Sequence, residues 1–118
     1  MSDAKTIDEL TDAMNDFVAA MGWYREDSPF TQSPRNIAIS LVLEAAEVLE
    51  HFQWGEQAET DALAEELADV MLYLLQLAYL LDIDLGEAVM SKLALNYERF
   101  AADVTEMGRS PVTDPTDT

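Results

Sequence analysis

Two stretches decide the fold: Ile37-Ala-Ile-Ser-Leu-Val-Leu-Glu44-Ala-Ala-Glu47-Val-Leu-Glu-His-Phe52, and Glu66-Leu-Ala-Asp69-Val-Met-Leu-Tyr-Leu-Leu-Gln-Leu-Ala-Tyr-Leu-Leu81. Both are apolar runs of helical length, and each is interrupted by two acids spaced i, i+3. Residues at that spacing share one face of a helix, so each pair aims two carboxylates the same way. On the first run Ser40, Glu44, Glu47 and His51 fall within an arc of about 60°, bordered by Ile37 and Val48 on one side and by Leu43 and Trp54 on the other. On the second, Glu66, Asp69, Tyr73 and Gln76 form one stripe flanked by leucines. A solvated helix face is wide, whereas these are slots. Two narrow polar stripes on neighbouring core helices are expected to face each other. Carboxylates brought together there repel one another and lose hydration unless a cation joins them.

Spacing alone proves little, because 24 of the 118 residues are acidic. Glu9/Asp12, Glu56/Glu59, Asp84/Glu87 and Asp103/Glu106 have the same spacing and read as solvated faces or helix starts. The apolar setting is what separates Glu44/Glu47 and Glu66/Asp69 from them. An all-oxygen donor set suits Mg²⁺, with Mn²⁺ as the alternative, over zinc or copper. The chain has no cysteine, so thiolate metal sites and disulfides are excluded.

Working outward, four helices are expected and no strand pattern competes. The first runs from Ile7 to Met21, with Thr6 and Glu9 as a capping box and Gly22 as its stop. The second starts at Ser33-Pro34, cap then first helical residue, and runs to Phe52. Thr60 is expected to cap a third helix from Asp61 to Leu81. Asp84 and Glu87 open a fourth, which ends near Ala102. Short connections make an all-α, four-helix bundle the expected fold, with one domain over residues 1–107 and a disordered tail over 108–118. The third helix is apolar almost all round after Asp69, more than one small bundle can cover, so a dimer or tetramer is expected.

A formal net charge of −18 argues against binding nucleic acid polymers or anionic membranes. It leaves room for a small polyanion that arrives with cations. No run is long and apolar enough to span a bilayer and no signal pattern opens the chain, so a cytoplasmic location is expected. Among only six Lys and Arg residues, Lys92 and Arg99 share one helix face with Asn96, an arrangement that suits a phosphate clamp. Trp23, Tyr24, Phe30, Trp54 and Tyr73 are candidates to stack on a base, although single aromatics more often serve a core. His51 reads as a hydrogen-bonded structural residue.

Glu44-Ala-Ala-Glu47 followed by Glu66-Leu-Ala-Asp69 resembles the ExxE…ExxD signature of the MazG-like, all-α nucleoside triphosphate pyrophosphohydrolases. Within that superfamily, Ser33-Pro-Arg-Asn36 through Phe52-Gln-Trp54 is similar to the PRN…FQW block of the dCTP pyrophosphatase branch, and Ser91-Lys92 through Asn96 to Arg99 to its SK…N..R block. The likeness spans residues 7 to 102. It implies Mg²⁺-dependent conversion of a (deoxy)nucleoside triphosphate to the monophosphate and pyrophosphate, a house-cleaning role in the nucleotide pool, and a homo-oligomer, usually a tetramer, whose subunits share sites. It places Glu44, Glu47, Glu66 and Asp69 on the metal, with Glu47 also a candidate base. It places Arg35, Asn36, Trp54, Tyr73, Lys92, Asn96 and Arg99 on the substrate, and Lys92 and Arg99 also at the reacting phosphates. Trp23 is the best candidate to stack on the base. The loop from Trp23 to Ser33 is longer than in the dCTP-preferring relatives and lacks their histidine. The base preference therefore stays open between dCTP, or a modified pyrimidine, and a dUTP/dUDP-hydrolysing relative. Outside enzymes, the rival reading is a metal-stabilised helical oligomerisation module.

Overall fold

A computed structural model describes residues 5–106, and every regular element in them is an α-helix: α1 (Ile7–Ala20), α2 (Pro34–Glu50), α3 (Thr60–Leu80) and α4 (Leu85–Glu106). The expected all-α, four-helix class is what forms. The expected tail, 108–118, lies outside the described residues. No helix among those described is long and apolar enough to cross a membrane.

The helix starts follow local chemistry. Thr6 Oγ1 accepts from the Glu9 amide at 3.0 Å, and Glu9 Oε1 accepts from the Thr6 amide at 2.9 Å, a complete capping box. Ser33 Oγ accepts from the Asn36 amide and Pro34 supplies the first turn of α2. The third start differs by one residue from the sequence reading. Glu59, not Thr60, is the N-cap, because its carboxylate reaches two free amides, those of Asp61 and Ala62. The first three helices end one or two residues earlier than expected, whereas α4 runs on to Glu106, past the expected end near Ala102. Beyond Glu50 the chain tightens into i→i−3 bonds, His51 to Val48 and Phe52 to Leu49. After α1, Gly22 takes φ 78°, a left-handed position where a side chain would be strained. Asp82 takes the same region, φ 56°, after α3, and the Ile83 amide closes back on the Ala78 carbonyl at 2.8 Å.

Contacts divide the chain into a unit holding α1–α3, up to Leu85, and a second formed by α4 from Gly86. In the first unit α3 packs against both α1 and α2. Met14 and Val18, one turn apart on α1, close on Leu75 of α3, and Ile7, Leu10, Trp23, Tyr24 and Met71 pack around them. The pairings His51–Glu66 and Gln32–Gln76 show that α2 and α3 run antiparallel, since one number falls as the other rises. That antiparallel crossing sets Glu44 beside Glu66. In the second unit, Lys92, Asn96 and Arg99 occupy one side of α4, with Lys92 and Arg99 exposed and the Arg99 guanidinium 5.0 Å from the centre of the Phe100 ring.

Candidate metal centre and adjoining cavity

Glu44 on α2 and Glu66 and Asp69 on α3 each offer a carboxylate oxygen, and these oxygens lie within 4.8 Å of one another. Such crowding has an electrostatic signature. Glu44 shares a proton with Glu66, and with its own partial burial and the charges of Glu47, Glu66 and Asp69 this pushes its carboxyl from 4.5 up to about 7. Glu66 is held below the usual range, first by the hydrogen bond from Glu44 and then by His51. His51 Nε2 lies 3.3 Å from Glu66 Oε1, which makes it the hydrogen-bonded structural residue expected of it. Glu47 is not one of the three converging acids. It faces Glu66 closely enough that repulsion from that carboxylate raises its own pKa.

The donor set fits a hard divalent cation. Three carboxylates converging from two helices, with no soft ligand among them, suit Mg²⁺ or Mn²⁺. Glu44, Glu66 and Asp69 are the residues that would hold it, with Glu47 at its edge.

Asp69 also lines a cavity of about 840 Å³ between α1, the loop before α2, and α3. Its walls are largely apolar: Met14, Phe17, Val18, Ile37 and Leu72 contribute, together with Trp23 and Phe30. Trp23 packs edge-on against Phe17, ring centres 5.5 Å apart, and against Phe30 at 6.2 Å. Those two contacts fix the indole as one wall. Of the residues expected on the substrate, the structure brings Trp23, Asn36 and Tyr73 to this cavity. Asn36 donates its side-chain amide to the Thr31 carbonyl at 3.0 Å, which ties the loop to α2. Arg35 and Trp54 do not line it, and both are exposed.

Gln76 was expected on the polar stripe with Glu66, Asp69 and Tyr73, but its hydrogen bonds go to the loop before α2 and to Tyr24 rather than to the acids. It is 3% exposed, the only buried polar residue among those described, and it lines the cavity. Its Nε2 donates to Gln32 Oε1 at 2.8 Å and to the Tyr24 hydroxyl at 3.4 Å. The Tyr24 hydroxyl donates in turn to Asn15 Oδ1. Burial raises the Tyr24 pKa, so the phenol keeps its proton. The sequence reading singled out neither Gln32 nor Asn15. The only available signal was a polar residue, Gln76, in the middle of a leucine-rich helix.

Residues 39–107 match the model of the MazG-like family. The chain is 35% identical over 119 residues to dCTP pyrophosphatase 1 of Mus musculus, and 34% identical to that of Homo sapiens. Each alignment covers 92% of this chain and 67% of the relative. The fold is also similar to the crystal structure of a pyrophosphatase from Archaeoglobus fulgidus, with a TM-score of 0.70 and 30% identity over 85% of this chain and 96% of that one.

Proposed function

This chain belongs to the MazG-like family and is a nucleotide pyrophosphatase of that family, and from that premise we propose that it converts a pyrimidine deoxynucleoside triphosphate, dCTP or a modified relative, to the monophosphate and pyrophosphate with Mg²⁺. The observation that carries the reading is one continuous site: three converging carboxylates, one of which also forms part of the wall of an aromatic-lined cavity. The cavity is apolar and flat-walled at Trp23, which suits a base. The acids suit the cation that accompanies the phosphates.

Glu44, Glu66 and Asp69 would hold Mg²⁺, which would neutralise phosphate charge and make a bound water more acidic. The chain's own groups do the rest. Glu47 has a raised pKa, so it is a better proton acceptor near neutrality than an ordinary glutamate. It takes the proton of the water whose oxygen bonds to the α-phosphorus. The bond from that phosphorus to the bridging oxygen then breaks, and pyrophosphate leaves with the electron pair. The family resemblance assigns Lys92, Asn96 and Arg99, which share one side of α4, to phosphate oxygens and to the charge that grows on the leaving group. Trp23 stacks on the base, Asn36 and Tyr73 border it, and Arg35 adds a cation near the same helix end. Trp54 is 93% exposed in the single chain. Val42, Leu43 and Leu49 on α2 are also exposed, so we assign this apolar surface of α2 to contact with a second copy, and a homo-oligomer to the active form.

The test is release of pyrophosphate from a panel of deoxynucleoside triphosphates, with and without Mg²⁺, with identification of the products. Monophosphate and pyrophosphate formed only with the cation support the reading. Stepwise loss of single phosphates, or no turnover of any triphosphate, overturns it.

A further inference from the structure

The amide of Gln76 is buried in an otherwise apolar wall, a costly placement that hydrogen bonds must offset. Both of its bonds use the nitrogen as donor, one to Gln32 and one to Tyr24. Tyr24 has a single hydroxyl proton and gives it to Asn15, so toward Gln76 it can only accept. The relay therefore fixes which way round the amide sits, with the nitrogen engaged at both partners. Neither bond uses the carbonyl oxygen, and the residue lines the cavity. Gln76 lies seven residues beyond Asp69 on the same stripe of α3, about 10 Å along the helix axis, a span that a sugar and a base ring fill.

We infer that Gln76 is a specificity-determining residue, whose carbonyl oxygen accepts a hydrogen bond from an exocyclic amino group on the base, and that Tyr24, Asn15 and Gln32 are positioning residues that hold it in that orientation. The inference rests on the reading of the cavity as the base site. A 4-amino pyrimidine offers the needed donor. A 4-keto pyrimidine sets oxygen against oxygen and leaves a buried acceptor unpaired, a mismatch that sites of this kind reject strongly. Were Gln76 only a cross-link between α3 and the loop, its loss would weaken every nucleotide alike.

Binding of dCMP and dUMP, measured by calorimetry with Mg²⁺, isolates the base contact from turnover. The unaltered protein is expected to prefer dCMP by about tenfold or more. Gln76→Leu is expected to remove most of that preference. Gln32→Leu combined with Tyr24→Phe removes both acceptors that orient the amide, so dUMP binding is expected to improve while dCMP binding changes little. This asymmetry is one that a structural cross-link does not produce. Equal binding of the two nucleotides by the unaltered protein overturns the inference, as does a ratio that both variants leave unchanged. If the preference holds but no triphosphate is hydrolysed, the activity reading fails and the base contact stands.

Discussion

Filling the carboxylate site with Mg²⁺ should expel a proton, and the structure sets how much. Glu44 is held at about 7 because it shares a proton with Glu66 under the repulsion of the neighbouring acids. A cation ligand must be deprotonated, so binding displaces whatever share of that proton is present. With half the molecules protonated at a pH equal to the pKa, binding releases about 0.5 proton at pH 7, about 0.9 at pH 6 and about 0.1 at pH 8. Apparent Mg²⁺ affinity accordingly weakens by about tenfold per pH unit well below 7. The assay is calorimetric titration of the metal-free protein with Mg²⁺ in buffers of different ionisation heat, repeated across that pH range. Glu44→Gln has no proton to lose there and should flatten the profile. Release that does not change with pH, or that is the same in Glu44→Gln, would refute the shared proton and with it the placement of Glu44 on the cation.

Three further outcomes follow from the same geometry. In metal-free protein the raised Glu44 pKa favours the folded state while the group is protonated, below about 4.5, and that contribution is lost as pH rises through about 7. Thermal melts of Glu44→Gln and the parent should therefore converge at low pH, with the variant more stable at pH 7.5. Asp69→Ala and Glu47→Ala should each abolish pyrophosphate release while far-ultraviolet circular dichroism stays helical, because neither residue belongs to the Met14–Val18–Leu75 core. Leu75→Ala empties the most buried position of that core and should cost about 2–5 kcal/mol in urea unfolding, with Mg²⁺ affinity of the folded fraction unchanged.

How much of this was legible in the sequence depends on the range of each interaction. Thr6 with Glu9 and Ser33 with Pro34 are contacts within a few residues, and their spacing alone places the first two helix starts. Glu59 was missed in favour of Thr60 because both can cap, and only geometry shows the carboxylate reaching two amides. The facing of Glu44 with Glu66 and Asp69 followed from each being the polar gap in an apolar helix. Gln76 has its partners 44 and 52 residues away, in a loop with no periodicity to give its position. Its place on a polar stripe suggested company with the acids. Instead the stripe crosses from the carboxylate slot into the cavity, and its last member turns to the loop.

The chain holds two tryptophans in opposite surroundings: Trp23 wedged between Phe17 and Phe30, and Trp54 almost wholly in water. Their fluorescence should separate accordingly, a blue-emitting indole shielded from acrylamide and a red-emitting one open to it. Nature has thus fitted the molecule with two internal lamps, one that dims or shifts as a guest enters the hollow and another that responds when a neighbour settles over the tip of α2.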